Sequence, residues 1–277
     1  MKRRRAWPRD LDYFSEKIGK SLDLVQGPGG NTSWKKNHVM WIKASGMRLS
    51  DALIKEIFCK VRQSSPMVTS KTDELRPSIE STLHAVCPGT FVVHVHSIAG
   101  MSLGFRKNIP PNALEILDKF SIGTLDYFRP GIELARATEE ICASQRGLQG
   151  LLLKNHGLVI WGEDLKSLYE SLIEFEALLS KLFPVQIEVF EKIRYQSLKQ
   201  YLNGRYLTPD HAVFGHTFDD LSINNKTNWL NDLQGALERA LACIEVEVNE
   251  EICFLSELEV ETLRNWEAEI FRKGMNT

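Results

Sequence analysis

Apolar positions along this chain alternate between two periods. Leu11, Phe14, Ile18, Leu22 and Val25 are spaced by threes and fours, which predicts an amphipathic helix over residues 11–24. Val39-Met40-Trp41-Ile42-Lys43 reads as a strand, with residues 31–35 as its hairpin partner and residues 56–61 as a further strand. Ile79, Leu83 and Val86 carry a helical stripe that begins near Pro77, a residue suited to a helix start. Phe91-Val92-Val93-His94-Val95-His96-Ser97 is a Val-rich buried strand. Residues 101–111 read as connecting structure and residues 120–128 as a strand. Leu134, Ala137 and Ile141 mark a helix. Residues 150–154 and 158–162 are two core strands around Asn155-His156-Gly157. Leu165, Leu168, Leu172, Phe175 and Leu179 form the stripe of a long helix that Asp164 can cap. Residues 207–214 read as a turn into a short strand. Helices are expected over 231–241 and 258–273, the latter with Trp266 and Phe271 inward. Helices and strands thus interleave in an α/β chain with no repeat or linker.

At 277 residues with 43% hydrophobic content, the chain can build one large core. A net charge of −2 supplies no basic field for nucleic acid. No run approaches the roughly eighteen apolar residues that span a bilayer, so no membrane role is expected. The basic start, Lys2 to Arg5, leads into no apolar stretch and reads as a solvated tail rather than a secretory signal. Five cysteines lack paired spacing, which points to reduced thiols, small buried hydrophobes and a cytoplasmic setting.

Candidate chemistry sits at the strand holding two histidines. Side chains alternate faces on a strand, so His94 and His96 point the same way, about 7 Å apart along it. Such a pair can close on a zinc-like cation, or it can be two hydrogen-bonded histidines at a strand end. His156 lies at a turn between two core strands, as a third ligand or a structural hydrogen-bonder. Glu80 is either a first-turn acid favoured by the helix dipole or a carboxylate delivered to the metal. Gly27-Pro28-Gly29-Gly30-Asn31-Thr32-Ser33 breaks the first helix and can turn N–H groups inward as an anion nest.

Five pieces occur in order: Gly29-Gly30-Asn31-Thr32-Ser33, Ala44-Ser45-Gly46, Pro77-Ser78-Ile79-Glu80, His94-Val95-His96 and Asn155-His156-Gly157. Together, over about residues 22–179, they resemble the class II aldolase/adducin family of sugar-phosphate aldolases and 4-epimerases. Arg129-Pro130-Gly131, residues 207–214 and Asn265-Trp266-Glu267-Ala268-Glu269 resemble the aldolase portion of bifunctional rhamnulose-phosphate aldolase/short-chain dehydrogenase proteins. No G-x-G-x-x-G dinucleotide fingerprint accompanies them.

The resemblance implies a three-layer α/β/α fold with a central, mainly antiparallel sheet. It implies a single domain over 1–277, with a core of about 10–215 and a helical C-terminal extension of about 229–277. It implies a homotetramer or other homo-oligomer, with the site near a subunit boundary. Zn2+ or another divalent metal would be held by His94, His96 and His156. Glu80 would be the acid/base. Gly30, Asn31, Ser45, Gly46 and Ser78 would bind the phosphate of a small sugar-phosphate substrate. Tyr127, from a neighbouring subunit, would protonate the alkoxide of the leaving aldehyde.

The expected reaction is retro-aldol cleavage of a ketose 1-phosphate to dihydroxyacetone phosphate and an aldehyde, through a metal-stabilised enediolate. Two departures weaken the phosphate pocket: Ile79 replaces a second serine and Pro28 a donor. Lys43 and Arg48 either compensate or are solvated. A 4-epimerase, a decarboxylase or dehydratase, and an adducin-like binding module without chemistry are the rival readings.

Overall fold

The computed structural model describes residues 6–67, 75–215, 218, 228–244 and 252–266. Its frame is a seven-stranded sheet of β1 (Asn31–Lys36), β2 (Val39–Lys43), β3 (Phe58–Arg62), β4 (Phe91–Val95), β5 (Ile122–Leu125), β6 (Gly150–Leu153) and β7 (Gly157–Gly162). The spatial order is β3-β2-β1-β4-β7-β6-β5. Every pairing is antiparallel except β5 with β6.

The period of two in β4, β6 and β7 assigns side chains to opposite faces. Val93, Val95, Leu152, Leu158 and Ile160 enter one core with α1 (Arg9–Gly19) and α6 (Leu165–Leu182). Val92, Leu151, Leu153, Val159 and Trp161 enter another with α2 (Ser81–Val86) and α5 (Ile132–Ser144). Helices therefore cover both faces of the sheet, in three α/β/α layers. A third apolar cluster joins α3 (Ile98–Gly104) to α7 (Ile187–Gln196), α8 (Leu198–Tyr201), α9 (Pro209–Phe214), α10 (Asn228–Ala242) and α11 (Glu257–Asn265). The helix α4 (Pro111–Lys119) lies beside α6. No helix among the described residues is long and apolar enough to cross a membrane.

Several elements differ from expectation. The first helix stops at Gly19, and a separate turn with Leu24 and Val25 N–H groups on the Ser21 carbonyl follows, leaving Leu22 exposed. Residues 101–104, the start of the stretch expected as connecting structure, belong instead to α3, which runs Ile98–Gly104 and is capped by Ser97. All seven of its residues are buried, so it lacks the polar face that makes a period visible.

Residues 209–214 form α9 rather than a strand. Thr208 caps it and Pro209 takes its first turn, a strong helix start. The strand expected over 120–128 is confined to β5. The last helix, α11, opens on a Ser256–Glu259 capping box and ends at Asn265, with Trp266 half-buried beyond it. Phe271 lies outside the described residues. The cysteines are free thiols, with Cys142 and Cys253 only partly buried.

Candidate active site

The central strand carries the first two histidines. β4 lies between β1 and β7, and His94 is paired in register with Asn31 on one side and Val159 on the other. His96 follows directly after the strand. His156 comes from the β6–β7 turn, where Asn155 takes the left-handed region at φ 54°. Gly157 then lets β7 pass beneath His96, since a Cβ there would stand 2.4 Å from the Val95 carbonyl oxygen.

Glu80 is the residue preceding α2, not a member of its first turn. The cause lies in the preceding residues. Ala44 bridges Pro77, and the Ser45 N–H bonds the Arg76 carbonyl, so this stretch stays extended before the helix can begin.

The three imidazoles and the carboxylate converge. His94 Nε2 is 3.0 Å from His96 Nε2 and 3.3 Å from Glu80 Oε1. His156 Nε2 is 3.0 Å from the same Glu80 oxygen. All four side chains are buried.

His94 Nδ1 donates to the Leu158 carbonyl at 3.0 Å, which leaves its Nε2 as a bare lone pair. Burial pushes the His94 imidazole down to about 3, against the attraction of Glu80, so the ring is neutral near pH 7. Burial also penalises charge on Glu80. Interaction with His94, a hydrogen bond from His156 and the nearness of the His156 and His96 rings outweigh it and hold the carboxyl well below the usual range.

Three ring nitrogens and one carboxylate oxygen thus meet at spacings of 3.0–3.3 Å, with Nε2 of His94, of His96 and of His156 and Oε1 of Glu80 as the atoms that converge. A tetrahedral cation with ligands at 2.0–2.1 Å would set their atoms about 3.3–3.4 Å apart. The donor set fits a divalent cation. Among the described residues, His94, His96 and His156 are the cluster capable of holding one.

A pocket opens beside this centre, lined by Gly29, Gly30, Asn31, Ser45, Gly46, Ser78, Ile79, Glu80, His96, His156 and, from further along the chain, Asp210. Asn31 Nδ2 donates to Glu80 Oε2, turning that carboxylate toward the histidines. Gly30 and Gly46 take φ of 63° and 75°, the left-handed backbone that a nest of inward N–H groups uses.

Pro28 and Ile79 also line the pocket. Lys43 does too, and it is not solvated: it is 2% exposed, with Nζ donating to the Pro28 and Met47 carbonyls at 2.9 and 2.8 Å. Arg48 and Tyr127 are absent from this lining. Tyr127 packs instead against the C-terminal apolar cluster.

The sequence reading missed Asp210. Its Oδ2 lies 3.3 Å from His96 Nδ1. The available signal was Thr208-Pro209-Asp210, a helix opening that sets an acid in the first turn. His211 is buried away from the centre, with Nδ1 accepting the Leu207 N–H at 3.2 Å. His216 lies outside the described residues.

Residues 13–182 match the family described as "Class II Aldolase and Adducin N-terminal domain". The chain belongs to this class II aldolase family. Among its relatives, "Uncharacterized oxidoreductase YuxG" of Bacillus subtilis is 30% identical over 74% of this chain. The match spans only 31% of that protein's length. "L-fuculose phosphate aldolase" of Methanococcus maripaludis is 30% identical over 52% of this chain and 79% of its own. "Methylthioribulose-1-phosphate dehydratase" of Microcystis aeruginosa is 26% identical over 56% of this chain and 85% of its own. Among solved structures, the N-terminal class II aldolase domain of a conserved protein from Thermoplasma acidophilum superposes with a TM-score of 0.51 at 27% identity. That superposition covers 66% of this chain and 99% of the other.

Proposed function

We propose that this class II aldolase family member is a zinc-dependent aldehyde lyase. It would cleave a ketose 1-phosphate to dihydroxyacetone phosphate and an aldehyde. The observation that carries the reading is the convergence of three imidazole nitrogens with the carboxylate of Glu80. His94, His96 and His156 would hold the cation. When bound, such an ion supplies Lewis-acid stabilisation of the negative charge left beside a carbonyl.

The chain's own residues do the rest. Gly30, Asn31, Ser45, Gly46 and Ser78 bind the phosphate, and the buried Lys43 adds positive potential where Pro28 and Ile79 offer no donor. The substrate is thereby fixed with its carbonyl end at the histidines. In cleavage, the C4 hydroxyl gives up its proton as the C3–C4 bond breaks, and its oxygen becomes the aldehyde carbonyl. Tyr127, brought by a neighbouring copy in a homo-oligomer, relays that proton from the C4 oxygen to the ionised carboxylate of Glu80. Glu80, which Asn31 orients, then delivers it to the electron pair left on C3, so the proton lost from oxygen is the one gained by carbon. Burial of the four central side chains keeps water from competing for this proton.

The test is Glu80→Gln. The variant should retain stoichiometric zinc and lose proton exchange on dihydroxyacetone phosphate by about a hundredfold or more, the usual weight of a positioned acid/base group. Exchange at the original rate would refute the role of Glu80. A panel of ketose 1-phosphates assayed for aldehyde release identifies the sugar. Zinc-loaded protein that releases no aldehyde from any of them, yet dehydrates or decarboxylates a related phosphate ester, would reassign the reaction.

A further inference from the structure

One carboxylate at the centre comes from beyond the segment that matches the family. Asp210 lies in α9, outside residues 13–182, yet its Oδ2 meets His96 Nδ1 at 3.3 Å. Both side chains are buried, at 8% exposure each. The opposite nitrogen of the same ring, Nε2, is the one that faces His94.

The segment bearing Asp210 is held from several directions. Thr208 Oγ1 accepts the His211 N–H at 3.1 Å. Arg264 Nε donates to the Ala212 carbonyl at 2.8 Å. The Asn155 amide, next to His156, donates to the Leu207 and Cys253 carbonyls at 2.9 Å each. The contact with His96 is therefore part of a built arrangement that ties α9 to the turn carrying the third histidine.

We infer that Asp210 is a positioning residue of the candidate metal centre. It keeps the proton of His96 on Nδ1, fixes the ring plane, and so directs the Nε2 lone pair at the point shared with His94 and His156. An imidazole has one proton to place between two nitrogens, and a carboxylate acceptor at one of them decides which is bare. His94 obtains the same result from the Leu158 carbonyl. His96 is the histidine whose outer partner is an anion, and a carboxylate partner also raises ligand basicity. The helical C-terminal segment, on this account, completes the centre.

This inference rests on the metal reading above, and its test separates the two. Metal-free protein labelled with 15N in histidine reports each ring's tautomer by long-range nitrogen–proton correlation, with His96→Asn assigning the signal. His96 should be in the Nδ1–H form in the unsubstituted chain and lose that preference in Asp210→Ala.

Zinc affinity is measured by competition with a chromophoric chelator. It should fall about 10–100-fold in Asp210→Asn, the usual effect of removing a ligand's outer partner, with partial recovery in Asp210→Glu. The cobalt-substituted visible spectrum should shift with it. An Nε2–H tautomer for His96 in the unsubstituted chain overturns the inference without recourse to any variant. So do Asp210 variants that bind zinc as tightly as the parent. If the parent binds no divalent metal while the tautomer still depends on Asp210, the metal reading falls and the positioning role stands.

Discussion

Gly157→Ala isolates how tightly the histidines depend on the sheet. A Cβ at this position would lie 2.4 Å from the Val95 carbonyl oxygen and 3.3 Å from both Cα and Cδ2 of His96. Real Cβ atoms essentially never come closer than 3.0 Å, so β7 must retreat from β4 by about 0.6 Å. The obstacle is backbone and cannot rotate away. Metal–ligand distances tolerate about 0.2 Å, a third of that retreat. The same movement carries His156 and the Leu158 carbonyl that orients His94.

Overpacking of this kind costs about 1–3 kcal/mol, which for a chain of this size lowers the unfolding midpoint by about 2–12 °C. Zinc affinity, read by chelator competition, should fall at least about tenfold, the lower end for a disturbed ligand support. Gly235→Ala serves as the control. Nothing lies within 4 Å of its Cβ and it sits inside α10, so it should leave zinc binding unchanged and stabilise the protein by up to about 1 kcal/mol. A Gly157→Ala protein that binds zinc within threefold of the parent would refute the argument that the β4–β7 spacing sets the ligand positions.

Two further outcomes are expected. Asn155→Ala removes two amide hydrogen bonds at 2.9 Å and puts alanine at φ 54°, so urea unfolding should show a loss of roughly 2–4 kcal/mol. Stability equal to the parent would mean that Asn155 does not hold the C-terminal segment.

Burial depresses His84 and His211 to about 3 each, in His84 against the attraction of Glu80 and in His211 reinforced by the Arg264 charge. Their ordinary value is near 6.5, so between about pH 6.5 and 3 the unfolded chain binds protons that the folded chain refuses. Their contribution is intact above pH 6.5 and is lost as pH falls through that window, by up to about tenfold in the folding equilibrium per pH unit for each ring. Denaturation of His84→Gln and His211→Gln at pH 7 and 5 checks this. The pH 5 penalty should shrink in both, and an unchanged slope would refute the assignment.

Elements whose faces differ were legible in the chain. β4 and β7 bury both faces but are short, Val- or Leu-rich and bounded by breakers. α6 has a polar side, so its stripe stands out. The two-residue spacing of His94 and His96 carries its meaning on any strand.

What escaped reading depends on contacts distant in sequence. α3 has no polar side to mark it. Thr208-Pro209 looks like a turn until the helix it starts is seen to bring Asp210 to His96. Lys43 stays open in the chain between a pocket cation and a solvated one, because nothing local reveals that the Pro28 and Met47 carbonyls enclose its ammonium. Asp210 is unremarkable in the chain and is brought to His96 only by the packing of the C-terminal helices.

The in-register placement of His94 between Asn31 and Val159 has a wider consequence. A slip of β4 by a single residue would invert its parity and send the imidazole to the opposite side of the sheet. There is no partly shifted alignment in which the donor set survives. Cation release by unfolding and dissolution of the central ladder should therefore be one cooperative event, and a bound ion would act as a lock on strand alignment.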